Sequence, residues 1–306
     1  MKTQKTRIMG WMILFASTAS LAYGEFDFDY FGLERPGMEK KQFNPSIGGL
    51  EGRDLKSIHF TPDGNECYFT VAQGTAREVF LREKKGGLWG SPRPAPFVDG
   101  DTWINGFSPD GKRLYYVAQS PDNPEQSGVY VRTRTVDGWS RGERLPEPVN
   151  LDYANRVIGM AVGAHEDLYF CTWRPPCLGQ CDVWRARYVN GTFPVAENLR
   201  VLNTPTSECM VITGQSDRFV VFYSWRPGGF GQADLYVSFS QGDTWTPPRN
   251  LGSRVNTAGG EVPQTLSPDE KYMFFYSGGV LFWIETRAVL PVPDGPVSNP
   301  STLGGQ

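Results

Sequence analysis

Short apolar runs bounded by turn-forming residues recur along the chain. Three follow closely related turns: Phe60-Thr-Pro-Asp-Gly64 leads into Cys67-Tyr-Phe-Thr70, Phe107-Ser-Pro-Asp-Gly111 into Leu114-Tyr-Tyr-Val117, and Leu266-Ser-Pro-Asp-Glu270 into Met273-Phe-Phe-Tyr276. Two more runs, Leu168-Tyr-Phe-Cys171 and Val220-Val-Phe-Tyr-Ser224, follow the degenerate turns Gly163-Ala-His-Glu166 and Gly214-Gln-Ser-Asp217. Apolar runs this short, enriched in aromatics and flanked by Gly, Pro, Asp and Ser, predict strands. They start at residues 67, 114, 168, 220 and 273, so the chain repeats with spacings of 47, 54, 52 and 53 residues.

Each unit continues in the same order. A further strand follows at Val79-Phe-Leu81, Val129-Tyr-Val131, Asp182-Val-Trp184, Asp234-Leu-Tyr-Val237 and Val280-Leu-Phe-Trp283. In the first four units there is then a turn with an aromatic: Gly87-Leu-Trp89, Gly138-Trp139, Gly191-Thr-Phe193 and Asp243-Thr-Trp245. Four short strands repeated about every 50 residues predict an all-β, five-bladed β-propeller of four-stranded blades. The fifth unit dissolves into Pro291, Pro293, Pro296 and Pro300 before its last strand. The segment Tyr30–Pro36 is the expected replacement, an N-terminal strand that closes the ring and leaves no open edge.

The Ser-Pro-Asp-Gly turns, with Asp234-Leu-Tyr-Val-Ser238, Asn250-Leu-Gly252, Val255-Asn-Thr257 and Glu261, resemble the WD40-like repeat of TolB-type propellers over roughly residues 30–288. The resemblance implies the fold and, since the repeat occurs in exported proteins of many kinds, no particular activity. Ser238–Trp245 is also similar to the Asp-box hairpin of sialidases, with Ser240 where that motif has Asp; a turn is the reading preferred for it.

Lys2, Lys5 and Arg7 precede an apolar run from Ile8 to Ala22, and Ala22-Tyr-Gly24 has the small residues of a cleavage site. Residues 1–24 therefore read as a Sec-type signal peptide without a lipobox cysteine, residues 25–290 as a single propeller domain, and 291–306 as a flexible tail. The implied location is periplasmic or extracellular, with no membrane span. The formal charge of −3 becomes −6 when the three cations of that segment are removed, leaving 27 basic against 33 acidic residues. A nucleic-acid partner is excluded by that balance. With only His59 and His165, neither a His-rich metal site nor a Ser/His/Asp triad is expected, and no metal or cofactor is assigned.

Propeller topology places the links between second and third strands, and those leading into each first strand, on one face, here called the top. Two of these links are nearly alike: Trp173-Arg-Pro-Pro-Cys-Leu-Gly-Gln180 and Trp225-Arg-Pro-Gly-Gly-Phe-Gly-Gln232. The candidate ligand-binding set is Asn155, Arg156, Trp173, Arg174, Glu208, Trp225, Arg226 and Glu261, with Asp54 and Asn105 as weaker candidates. Each also has a structural reading. Glu208 and Glu261 cap Asn-Thr turns or pair with an arginine, and Trp173 and Trp225 pack between blades. Cys177 and Cys181 are expected to form a disulfide across their loop, as export permits; Cys67 reads as a core residue. No catalytic residue is assigned. The sequence thus points to an exported, monomeric, non-catalytic propeller that recognises a protein, peptide or glycan through its top face. The alternatives are a glycoside hydrolase or lyase using top-channel carboxylates, or a structural module of a cell-envelope assembly.

Overall fold

The computed structural model describes residues 30–45, 53–73, 76–97, 103–119, 127–151, 156–214 and 216–290. The segments read as a signal peptide and tail, and the candidate Asn155, lie outside these. Five antiparallel sheets follow one another in chain order. Their first, innermost strands are Asp54–Phe60, Trp103–Phe107, Val157–Val162, Glu208–Thr213 and Glu261–Leu266. Each lies beside the next, and the fifth lies beside the first, so the ring is closed. This is a five-bladed β-propeller.

The second strands, such as Leu168–Thr172, are buried along their length, because each blade is covered on both faces by its neighbours. That is why they read as continuous apolar runs rather than as an alternation. The turn aromatics close the blade interfaces. Trp139 of blade 2 donates its Nε1–H to the Tyr68 hydroxyl of blade 1 (2.9 Å). Phe193 of blade 3 meets Tyr115 of blade 2 edge-on, and Trp245 of blade 4 meets Tyr169 of blade 3 in the same way.

Closure comes from the N-terminal side, from a different segment than the one expected. Lys41–Gln42 pairs antiparallel with Phe282–Trp283 as the outer strand of blade 5. Tyr30 instead wedges between blades 5 and 1, against Tyr272, Trp283 and Phe60. Pro36 has no N–H to give a ladder, and Tyr30 and Phe31 contribute more by filling the interface with aromatic surface.

On the bottom face the Ser/Thr-Pro-Asp turns are locked by their own side chains. Thr61, Ser108 and Ser267 each donate a hydroxyl to the following aspartate, Asp63, Asp110 or Asp269, at 2.6 Å. The next residue adopts a left-handed backbone: Gly64 and Gly111 in blades 1 and 2, but Glu166, Asp217 and Glu270 in blades 3 to 5. The central channel is narrow, with cavities of about 70 and 10 Å³ lined by His59, Asn105, Met160, Met210 and Gln264 among others.

Candidate functional site

The top face of blades 3 and 4 is built twice on one plan. Asn203 and Asn256, in the links leading into the first strands of blades 4 and 5, are buried and clamp both backbone groups of a third-strand residue in the preceding blade. Asn203 holds Val183 through bonds of 2.8 and 3.0 Å, and Asn256 holds Leu235 at 2.8 and 3.1 Å. Asn150 holds Val129 in the same manner. Third strand and next first strand then meet in parallel bridges, Cys181 with Ser207 and Ala233 with Gly260.

The two like loops hang from this frame on buried aspartates. Asp182 accepts from the backbone N–H groups of Leu178 (2.7 Å) and Gly179 (3.2 Å) and from Asn198 Nδ2 (2.6 Å). Asp234 accepts from Phe230 (2.6 Å), Gly231 (3.1 Å) and Asn250 Nδ2 (2.7 Å). Glycine is required where each loop presses on the neighbouring link, since a Cβ on Gly179 would lie 1.7 Å from the Thr206 carbonyl oxygen and one on Gly231 2.2 Å from that of Gly259. Charged acceptors of paired backbone N–H groups are strong hydrogen-bond partners, so both loops are held in one conformation.

What the loops present is apolar. Trp173 is 43% exposed and Trp225 60%, with Leu178 and Phe230 also exposed. The loops are adjacent, because the Trp225 N–H donates to the carbonyl of Ser207, the residue bridged to Cys181 at the end of the blade 3 loop. The guanidinium of Arg156 lies 4.4 Å from the Trp173 ring centroid. The expectation that both tryptophans pack between blades is therefore corrected: both rings are exposed on their loops.

The other candidates turn inward. Arg174 is buried, donates to the carbonyls of Pro148 (2.5 Å) and Val149 (3.1 Å), and lies over the Trp184 ring. Arg226 donates to the Leu202 carbonyl (2.6 Å) and Ser224 Oγ (2.9 Å) and lies over Tyr236. Glu208 accepts from the Thr204 N–H (2.8 Å), the Thr204 hydroxyl (2.7 Å) and the Ser224 hydroxyl (2.7 Å), with Arg226 at 3.5 Å. Glu261 repeats this with Thr257 (3.1 and 2.7 Å) and Ser277 (2.9 Å). Both carboxylates are inaccessible to solvent. They cap turns, as the structural reading held, and do not flank a pocket. Asp54 is exposed and pairs with Lys56 two residues on in the same strand, while Asn105 accepts from the Val117 N–H at 2.9 Å.

The expected Cys177–Cys181 disulfide is absent, and all five cysteines are free thiols. Cys177 is exposed on its loop, whereas Cys181 is buried in a core cluster with Cys171 and Cys209. The hydrogen bond with Cys209, together with burial, pushes the Cys181 thiol well above its usual range. Sequence reasoning gave no role to Asp182, Asp234, Leu178 or Phe230. The signal was the shared Gly-Gln-x-Asp ending of the two loops.

Fold and site together define a β-propeller with a rigid, aromatic-bearing loop face. Among solved structures the chain is similar to TolB from Acinetobacter baumannii, at 14% identity and a TM-score of 0.48, over 76% of this chain and 54% of that one. It is also similar to a putative TolB from Agrobacterium tumefaciens (18% identity, TM-score 0.49, 75% and 74% covered). The propeller domain of the Trilobed protease from Pyrococcus furiosus follows at 12% identity and a TM-score of 0.40, over 74% of this chain and 64% of that domain. The chain thus spans about half the length of the A. baumannii protein. No protein-family profile and no curated protein matches the sequence.

Proposed function

We propose that the protein is a non-catalytic binding protein that recognises a protein or peptide partner through the top-face loops of blades 3 and 4, outside the cytoplasm. The observation that carries this reading is the exposure of Trp173 and Trp225 on loops whose backbones are fixed by buried Asp182 and Asp234. Rigid, exposed tryptophan is the side chain most often found at the energetic centre of interfaces, and holding it in place beforehand reduces the ordering cost of binding. Location outside the cytoplasm rests on the layout of residues 1–24. Glycan recognition would use the same rings, and is the occupant the test separates. The hydrolase alternative loses its two carboxylates to turn capping, and a channel cavity of about 70 Å³ is far below the roughly 300 Å³ at which ligand pockets begin.

The test is selection of peptides from a displayed library on the immobilised protein, beside a glycan array, each repeated with a Trp173→Ala/Trp225→Ala variant. Selected peptides should bind the variant at least tenfold more weakly. Peptides that bind both forms equally would sink the reading, and glycan signals that vanish with the variant would transfer the site to carbohydrate.

A further inference from the structure

Two blade interfaces depart from the common plan: Tyr30 and Phe31 fill the one between blades 5 and 1, and the one between blades 4 and 5 holds a cavity. At three interfaces a turn aromatic of one blade meets a second-strand tyrosine of the blade before it: Trp139 on Tyr68, Phe193 on Tyr115 and Trp245 on Tyr169. Strand register gives Val221 as the equivalent of those tyrosines in blade 4, because it pairs with Val237 as Tyr169 pairs with Arg185. Blade 5 has no turn aromatic of its own, since its outer strand, Lys41–Gln42, comes from the other end of the chain. The short helix Thr286–Ala288 and Leu290 stand there instead. With Leu290 where those interfaces have a turn aromatic, the bottom-face crevice between blades 4 and 5 holds a cavity of about 530 Å³, with Phe219, Phe239, Tyr272 and Leu290 in its lining. That volume lies in the range of ligand pockets.

The rim adds a charge preference. Each rim acid lies beneath a cation that pairs with it, Glu270 with Arg218 and Asp269 with Lys271 (both 3.5 Å) and Glu285 with Arg287, while Glu270 also accepts from Ser216 and Asp269 from Ser267. Its cations reach outward, with the side chains of Arg218, Lys271 and Arg287 exposed at 63, 55 and 71%, against 15, 14 and 20% for Glu270, Asp269 and Glu285. Residues 291–306, which follow the cavity in sequence, contain no aromatic residue.

We propose that this crevice, which lacks the turn aromatic of the other interfaces, is a second recognition site, which takes an aromatic side chain of a partner polypeptide flanked by acidic residues. The ring would enter the crevice against Leu290, Phe219 and Phe239, beside the position that Trp139, Phe193 and Trp245 fill in the other interfaces. The flanking carboxylates would meet Arg218, Lys271 and Arg287, an arrangement in which rim charges set preference and the buried ring supplies most of the affinity.

The probe is the peptide acetyl-EDWDE-amide, measured by titration calorimetry against the full chain, with EDADE and KKWKK as controls. The expected result is saturable binding of the first, with at least tenfold weaker binding of both controls. An Arg218→Glu/Arg287→Glu variant should lose at least tenfold in affinity. Leu290→Trp, which fills the crevice from within, should abolish binding while raising the melting temperature. Trp173→Ala/Trp225→Ala should change nothing, which separates this site from the top face. Equal binding of EDWDE and EDADE, no binding at millimolar peptide, or binding that survives both crevice variants would overturn the proposal.

Discussion

Glu270 of blade 5 reaches across a blade boundary to Ser216 of blade 4, its two carboxylate oxygens accepting from the Ser216 N–H at 2.9 Å and from its hydroxyl at 3.0 Å. It does so from a left-handed backbone conformation, φ +54°, at a position where blades 1 and 2 have glycine. The pattern recurs. Glu166 accepts from Arg113 and Tyr115 of blade 2, and the Asp217 carboxylate sits so close to Gly163 of blade 3 that a Cβ there would be 2.0 Å from its oxygen. Backbone strain in each of the last three blades is thus offset by a contact that joins it to the blade before.

The two contributions can be separated at position 270. Glu270→Ala keeps the left-handed strain and loses the contact, so it should destabilise by about 2 kcal/mol, from two hydrogen bonds of roughly 1 kcal/mol each. Glu270→Gly also loses the contact but relieves a strain of roughly 1 kcal/mol, and should lose only about 1 kcal/mol. Urea denaturation of both variants checks this. If glycine were as damaging as alanine, the strain would carry no weight.

Glu208→Gln and Glu261→Gln test the assignment of both acids to turn capping. A neutral amide cannot accept all the bonds each carboxylate accepts, and an unsatisfied buried donor costs about 1–3 kcal/mol. Glu208→Gln should be the more damaging, because Arg226 is left beside it at 3.5 Å without a counter-charge. Stability should fall in both while any binding by the top face persists in the folded fraction. Loss of binding without loss of stability would return these residues to the ligand site.

These outcomes mark what could be read from the sequence. Five units and their strand order were legible because Ser-Pro-Asp-Gly turns and fully apolar second strands are local signals. The closing strand was not, since Lys41–Gln42 is a two-residue polar edge with no apolar pattern, and the more conspicuous Tyr30–Pro36 segment nearby serves as packing. The matched loops were legible as a repeated pair, but the direction of each side chain was set by neighbouring blades. Arg174 and Arg226 found carbonyls and rings beneath the loops, and Trp173 and Trp225 stay exposed on them. The cysteine pairing failed for a related reason: Cys181, at the end of the loop just before the third strand, is buried in the core, whereas Cys177 stays exposed on the loop.

His59 gives the fold a pH dependence. It is buried in the channel lining with Asn105 and Gln264, and burial lowers its pKa to about 4. Below pH about 6.5 the unfolded chain takes up a proton at this residue that the folded chain refuses. Stability should therefore decline as pH falls from about 6.5 to about 4 and the contribution of His59 should level off below that, with a total effect of about 3 kcal/mol. His59→Gln removes the proton uptake and should flatten the curve in this window. Denaturation midpoints at half-unit pH intervals, wild type against variant, provide the check. Parallel curves would show that His59 is solvated rather than buried.

Tyr30 tests whether ring closure differs from ordinary packing. Its ring lies 5.1 Å from Tyr272 and 5.2 Å from Trp283, and its hydroxyl donates to Asp269 at 3.3 Å. Removing a buried aromatic costs about 3–5 kcal/mol, and on that ground alone Tyr30→Ala and Trp245→Ala should be comparable. Their consequences should differ. Trp245 is held between blades 3 and 4, which remain covalently continuous, so its loss leaves the ring intact. Tyr30 pins the N-terminal segment whose Lys41–Gln42 strand covers the edge of Val280–Glu285. When that segment loosens, an apolar edge strand is uncovered, and uncovered edges pair with other chains. Tyr30→Ala should therefore self-associate at denaturant concentrations where Trp245→Ala stays monomeric, and deletion of residues 1–43 should do so without denaturant. Light scattering across a urea titration distinguishes the two. Equal association by both variants would mean that the N-terminal strand is one contact among many rather than the closure of the ring.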